Sequence, residues 1–164
     1  MHIRNYVFII NVRMNQSIQL SIHIEKSLFE YVVPRLSIQP LVENAIQHGL
    51  MNKRGDKKID IGADAASETL EVWVEDNGVG MDMDKINERL ENSLDDALSK
   101  SESIGLDNIN ARAKLLYGNE YGVTINSKIN EGSRVVLRIP LISDVDTTPE
   151  KNGSESTLPG EGAP

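Results

Sequence analysis

Three short segments hold the residue types that could bind or polarise a polar ligand. The first is Pro40-Leu41-Val42-Glu43-Asn44-Ala45-Ile46-Gln47-His48-Gly49. The second is Glu75-Asp76-Asn77-Gly78-Val79-Gly80-Met81. The third is Ser103-Ile104-Gly105-Leu106-Asp107-Asn108-Ile109. In the first, Asn44 and His48 are four residues apart and share one face if the segment is helical. A carboxamide oxygen is a hard, neutral ligand suited to magnesium, and an imidazole can reach a phosphate oxygen. The bland alternative is a polar helix flank with a surface histidine.

The second segment reads as the end of a strand. A carboxylate there suits purine recognition, because the adenine exocyclic amine donates and Asp76 accepts. Gly78 and Gly80 would let the backbone turn and approach a base closely, and Met81 is placed to pack on the ring. A plain Asp-Asn-Gly turn is the competing reading. The third segment opens a helix, and the free amides of Ile104, Gly105 and Leu106 together with the macrodipole attract phosphate.

The elements that must position these groups follow from periodicity. Residues 3–14 read as the end of a helix. Residues 17–24 alternate, with Ile18, Leu20, Ile22 and Ile24 on one face, as in a half-buried strand. A helix is expected from Ser37, a plausible N-cap, to His48. Pro40 lies in its first turn, Ile38, Leu41, Val42, Ala45 and Ile46 form the buried stripe, and Gly49 closes it. Strands are expected over 57–62, 69–76, 121–128 and 133–139. The last two are joined at Asn130-Glu131-Gly132. Helices are expected over 83–98 and over 105–117, the latter with Leu106, Ile109, Ala113 and Leu116 inward. Helices and strands mix without strict alternation, so the expected fold is α+β, a two-layer sandwich with a mixed sheet and helices on one face.

Composition narrows the function. The 164 residues suit one domain, and the absence of cysteine excludes disulfides and thiolate metal sites. The three histidines, His2, His23 and His48, are scattered and make a poor zinc set. Net charge is −8, opposite to a nucleic-acid footprint. Half of that charge falls in an acidic Ser, Thr, Pro and Gly tail, residues 142–164, expected to be disordered. Lys53, Arg54, Lys57 and Lys58 cluster, either as a solvated loop or as one facing phosphate. No apolar run approaches the roughly 20 residues that span a bilayer. A soluble, intracellular chain without membrane contact is therefore expected.

Taken in order, the three segments resemble the N box and glycine boxes of the Bergerat ATP-binding fold (GHKL, HATPase_c). Gyrase, mismatch-repair ATPases, heat-shock chaperones and histidine kinases share that fold. The wording from Leu36 to Gly49 is similar to sensor histidine kinases of the LytS/YesM type. So are Gly105 to Arg112, running into Lys114-Leu115-Leu116-Tyr117-Gly118, and the ending Gly132 to Pro140. The resemblance covers residues 1 to about 141. It implies a catalytic domain over 16–141, preceded in 1–15 by the end of a helix from a dimerisation and acceptor region.

It further implies ATP and magnesium as cofactors, with Asn44 on the metal. Asp76 would meet adenine, and Gly78, Gly80, Met81, Ser103, Ile104, Gly105 and Leu106 would line the nucleotide with His48 and Ser133. Residues 82–102 would form a lid over ATP. Ser103 stands where the family usually has glycine, and Ser133 where threonine is commoner.

A hydrolase of this fold places a glutamate four residues before the magnesium asparagine. Here that position is Pro40, which cannot act as a base. Glu43 adjoins Asn44 but lies about 100° around the helix, so its role is left open between catalysis and orientation. The kinase reading therefore leads. The alternatives are a nucleotide-binding regulatory module and a serine kinase of the anti-sigma type. The family's acceptor histidine lies upstream in a Pro-His-Phe context that nothing here matches. The resemblance thus implies phosphotransfer to a histidine on a separate helical domain of a homodimeric parent in the bacterial membrane. A response regulator would be served indirectly.

Overall fold

The computed structural model describes residues 2–34, 37–83 and 104–143. Helix α1 (His2–Arg13) leads into strand β1 (Ile18–His23). The Asn11 carboxamide makes that junction. Its Oδ1 accepts from the Ile18 amide at 2.9 Å and its Nδ2 donates to the Ile18 carbonyl at 3.0 Å. A short 3₁₀ turn (Lys26–Glu30), absent from the sequence expectations, carries the chain to helix α2 (Ile38–Asn44). A π-helical segment (Ala45–Leu50) continues α2. Strands β2 (Lys57–Ala66) and β3 (Thr69–Asp76) form a hairpin. Helix α3 (Ile104–Tyr117) and strands β4 (Gly122–Lys128) and β5 (Gly132–Pro140) complete the described chain.

The five strands form one mixed sheet in the order β1-β2-β3-β5-β4. Only β1 and β2 run parallel. Alternation decides the faces. Ile59, Ile61, Val72, Val74, Val135, Leu137 and Ile139 point to the helix side, each at most 2% exposed. Leu41, Val42, Ala45 and Ile46 of the α2 rod and Leu106, Ile109 and Ala113 of α3 cover them. The opposite face is polar, with Arg134 stacked 4.0 Å over the Trp73 ring and bonded to Glu75 at 3.0 Å. This is the two-layer α+β sandwich that the periodicity implied.

Four local expectations need correction. Gly49 does not close the helix. The rod runs to Leu50, with the Met51 amide donating to the Ile46 carbonyl at 2.9 Å, a π-type bond. Ser37 precedes α2 but has helical backbone angles and makes no side-chain cap bond, being buried instead. Leu116 is 55% exposed, since the inward stripe of α3 stops at Ala113. Strand β2 extends to Ala66 because Ser67, at φ 55, makes the hairpin turn later than the apolar pattern suggests. The expected helix over 83–98 and the tail from residue 144 onward lie outside the described residues, apart from Met83. The described chain runs to Ser143, which pairs with Tyr31.

Leu41 has no exposed surface and sits where α2 meets the sheet. Leu41→Ala is expected to cost about 2–5 kcal/mol through lost transfer energy and a residual cavity. Urea unfolding followed on Trp73, the only tryptophan, checks this. A loss under 1 kcal/mol, on the order of a surface substitution, would refute the packing described.

Candidate functional site

Asp76 ends β3 on the helix-side face, where the alternation Leu70, Val72, Val74 would otherwise place another aliphatic residue. Its side chain is 5% exposed. The Gly78 amide donates to Asp76 Oδ1 at 2.7 Å, a bond from two residues on that curls the chain around the carboxylate. Burial raises the Asp76 carboxyl from 3.8 to about 6. The Gly78 and Ser133 amides and the Lys53 charge oppose that rise, and the Glu75 charge adds to it. A carboxylate held this way is a strong acceptor poised near neutrality.

The floor beneath it is Gly49. A Cβ there would fall 2.5 Å from Asp76 Oδ1, and one at Gly78 would fall 2.4 Å from the Gly49 carbonyl oxygen. The helix rod and the glycine loop therefore touch through two bare backbones. The Val79 amide donates to the Gly49 carbonyl at 3.0 Å, a carbonyl that lies in the π-helical segment. The loop's other side is held by the β4–β5 hairpin, where the Asn130 amide donates to the Val79 carbonyl at 2.7 Å. Gly80, at φ 70, passes so close to the Lys128 carbonyl that a Cβ would clash with it.

Ser133 pairs with Asp76 across β3 and β5 and is 5% exposed. Its hydroxyl meets that of Ser127 at 2.8 Å. Ser127 donates to the Gly132 carbonyl at 2.9 Å and accepts from the Met81 amide at 2.8 Å. Ser127 thus links Met81 to Ser133. Sequence reading missed it, and only its position opposite Ser133 across the hairpin would have signalled it.

The remaining candidates lie around this cradle. Asn44 is the last α-helical residue before the π-helical segment and is half-buried. No described residue takes its carboxamide as a hydrogen-bond partner, which leaves a neutral oxygen donor of the kind magnesium accepts. His48 is exposed one turn further on, and Met81 is half-buried. Gly105 opens α3, with its Cβ position 3.5 Å from Pro40. Leu106 gives its side chain to the core, so it can offer a ligand only its backbone. Ser103 and residues 84–102 of the expected lid lie outside the described residues, as does the side chain of Ile104.

Glu43 faces elsewhere. Its carboxylate accepts from Gln39 Nε2 at 2.8 Å, one helical turn back. Burial first, and the Glu43 charge second, raise the Tyr6 phenol of α1 above 10.0. The basic cluster also disperses, since Lys57 is buried and donates to Gln16 Oε1 at 2.5 Å. A groove of 220 Å³ between α2 and α3, lined by Pro34, Pro40, Ile109 and Leu116, sits at the start of α2, away from Asp76.

Residues 34–143, which contain this cradle, match the family described as histidine kinase-, DNA gyrase B- and HSP90-like ATPase. The chain belongs to that family. The sensor protein kinase HptS of Staphylococcus aureus is 32% identical over 140 residues, 85% of this chain and 26% of that protein. The chain therefore spans about a quarter of the length of the curated relatives it matches.

Among solved structures, the nucleotide-free catalytic domain of histidine kinase ThkA superposes with a TM-score of 0.60 at 14% identity. It covers 84% of this chain and 87% of that one. The histidine kinase domain of a blue-light activated kinase from Erythrobacter litoralis gives 0.52 at 16% identity, covering 84% and 58%. At such identities the likeness establishes the fold. Fold and family together make this an ATPase domain of the histidine kinase-, DNA gyrase B- and HSP90-like family. Among the described residues, no helix is long and apolar enough to cross a membrane.

Burial gives the ATPase-family cradle a measurable stability cost. The folded carboxyl of Asp76 is raised above its ordinary value, so its contribution to stability is fully present below pH 3.8 and is lost as pH rises through about 6. Asp76→Asn removes the charge. It is expected to stabilise the fold at pH 8 by about 1–2 kcal/mol, with the gain fading toward pH 4. Thermal melts at the two pH values check this, and equal melting at pH 8 would contradict the burial argument.

Proposed function

We propose that this domain is the catalytic part of a two-component sensor histidine kinase of the LytS/YesM type. In this reading it binds magnesium-ATP and delivers the γ-phosphate to a histidine on a separate helical domain of the same protein. The observation that carries the proposal is the buried Asp76 carboxylate, held by the Gly78 amide against the bare backbone of Gly49. An acceptor so desolvated discriminates strongly for a ligand that donates to it, and the adenine amine is such a donor. Asp76 is therefore the adenine acceptor, with Gly78, Gly80, Met81 and Ser133 around the base. Asn44, whose carboxamide has no described partner, is the magnesium ligand, and the metal supplies charge neutralisation at the phosphates. His48, Ser103 and the amides of Ile104, Gly105 and Leu106 at the start of α3 would face the phosphates in the same scheme.

Two observations support transfer over hydrolysis. Pro40 occupies the position from which a hydrolase of this fold activates water, and Glu43 bonds to Gln39 rather than facing Asn44's ligand side. Imidazole is already a nucleophile and needs no such base. The parent is proposed as a membrane-bound homodimer whose acceptor and dimerisation helices lead into residues 1–15. This domain would lie on the cytoplasmic side, and a response regulator would receive the phosphoryl group indirectly. Residues 82–102 are proposed as the lid, residues 16–141 as the catalytic domain and residues 142–164 as a tail outside it.

Two measurements test this. In calorimetry, Asn44→Ala is expected to abolish most of the magnesium dependence of ATP affinity, a loss of about tenfold or more, on the order of one charge-assisted contact. Unchanged affinity in the presence of magnesium would remove Asn44 from the site. In phosphotransfer, labelled ATP is expected to leave this chain unlabelled, since His2 and His23 lack an acceptor context. Adding the helical acceptor segment of the same protein is expected to give acid-labile, base-stable label on that segment. Label on this chain alone, lost when His2 or His23 is replaced, would sink the proposed division of labour.

A further inference from the structure

The loop between the helix rod and β2 sends one of its cations toward the glycine loop. Lys53 is half-buried, and its ammonium donates to the main-chain carbonyl of Asn77. Asn77 does not need that bond to be placed. Its amide donates to the Lys58 carbonyl at 3.3 Å, its Oδ1 accepts from the Lys58 amide at 2.9 Å, and its Nδ2 donates to the Asp56 carbonyl at 3.2 Å. The three bonds clip the end of β3 to the start of β2. Lys53 adds to them a positive charge one residue from Asp76.

The other charges near Asp76 are differently engaged. Glu75, next on β3, bonds to Arg134 of β5 on the opposite face of the sheet. Lys57 of β2 is occupied by Gln16. Lys58 and Asp60 alternate onto the polar face, and Asp60 pairs with His23. Lys128 of β4 pairs with Glu131. His48 of the rod is exposed. Of these cations, Lys53 is the one whose ammonium is bonded to the residue next to Asp76, at the start of the glycine loop.

We propose that Lys53 is a positioning residue for Asp76. From its seat on the Asn77 carbonyl, its ammonium holds the neighbouring carboxylate as an anion ready to accept a hydrogen bond from the ligand. The part that concerns ligand rests on reading Asp76 as the adenine acceptor. The electrostatic part does not, and the two are separable by experiment.

The test follows the Asp76 carboxyl by carbon NMR in the ligand-free chain, for the wild type and for Lys53→Met, Lys53→Gln and Lys53→Arg. Gln keeps a donor for the Asn77 carbonyl without charge, and Arg keeps both. Met and Gln are expected to move the titration midpoint up by about half a pH unit, the order of one partly screened charge at short range. Arg is expected to leave it in place. Magnesium-ATP affinity at pH 6 should then fall about twofold in Met and Gln, as the ionised fraction falls, and recover by pH 8. An unmoved midpoint in both neutral variants overturns the proposal. So does a shift in Met that Gln restores, because the tether and not the charge would then be acting. A midpoint that moves while ATP affinity stays flat with pH upholds the action of Lys53 on Asp76 and refutes the adenine reading instead.

Discussion

The arrangement depends on burying one carboxylate at the end of a strand whose other inward residues are aliphatic. Asp76 occupies a slot where Leu70, Val72 and Val74 set the pattern. An isolated charge there would be costly. The structure offsets the cost locally, with the Gly78 amide on one oxygen and the Ser133 amide nearby. Everything that approaches the carboxylate must then be small. Gly49 and Gly78 lie against it with no room for a Cβ. The π-helical segment follows from the same demand, because the rod must bring a bare backbone carbonyl to the Val79 amide while keeping Ile46 and Leu50 in the core. Widened turns of this kind are often found at functional sites.

This constraint explains which parts could be read from sequence. The strands and the α2 stripe were legible because aliphatic alternation and helical spacing record burial directly, as in Ile59, Ile61, Val72 and Val74 or Leu41, Val42, Ala45 and Ile46. Asp76 stood out because a carboxylate at a strand end is followed there by Gly78-Val79-Gly80. Gly49 was misread as a helix stop because a glycine after a periodic run usually marks one. Its actual reason is a contact with a residue 27 positions later, which no local window contains. Ser127 was invisible for the same reason, since its bonds to the Gly132 carbonyl and the Ser133 hydroxyl arise only when β4 pairs with β5. Leu116 has the spacing of a core residue, yet it is 55% exposed on the last turn of α3.

The basic residues show a further limit of composition. Lys53, Arg54, Lys57 and Lys58 form one cluster along the chain, but the fold assigns them separate environments. Lys57 is buried and bonded to Gln16, Lys53 caps the Asn77 carbonyl, and Lys58 offers its backbone to Asn77 while its side chain stays in water. Neither a solvated loop nor a phosphate-facing patch describes that outcome. A lysine stem can cover apolar surface while its ammonium finds a carbonyl, so sequence proximity of charges says little about where each charge acts.

Water activation needs a base aimed at the phosphate side of the helix that carries Asn44. The one carboxylate on that helix, Glu43, is turned toward Gln39 and its charge is felt by Tyr6 of α1. Pro40, one turn before Asn44, offers no proton acceptor at all. The rod therefore presents Asn44 and His48 without a base between them. On the proposed reading, such a rod would orient and neutralise phosphates while no described carboxylate on it faces them, which suits a transferase whose acceptor arrives on another element.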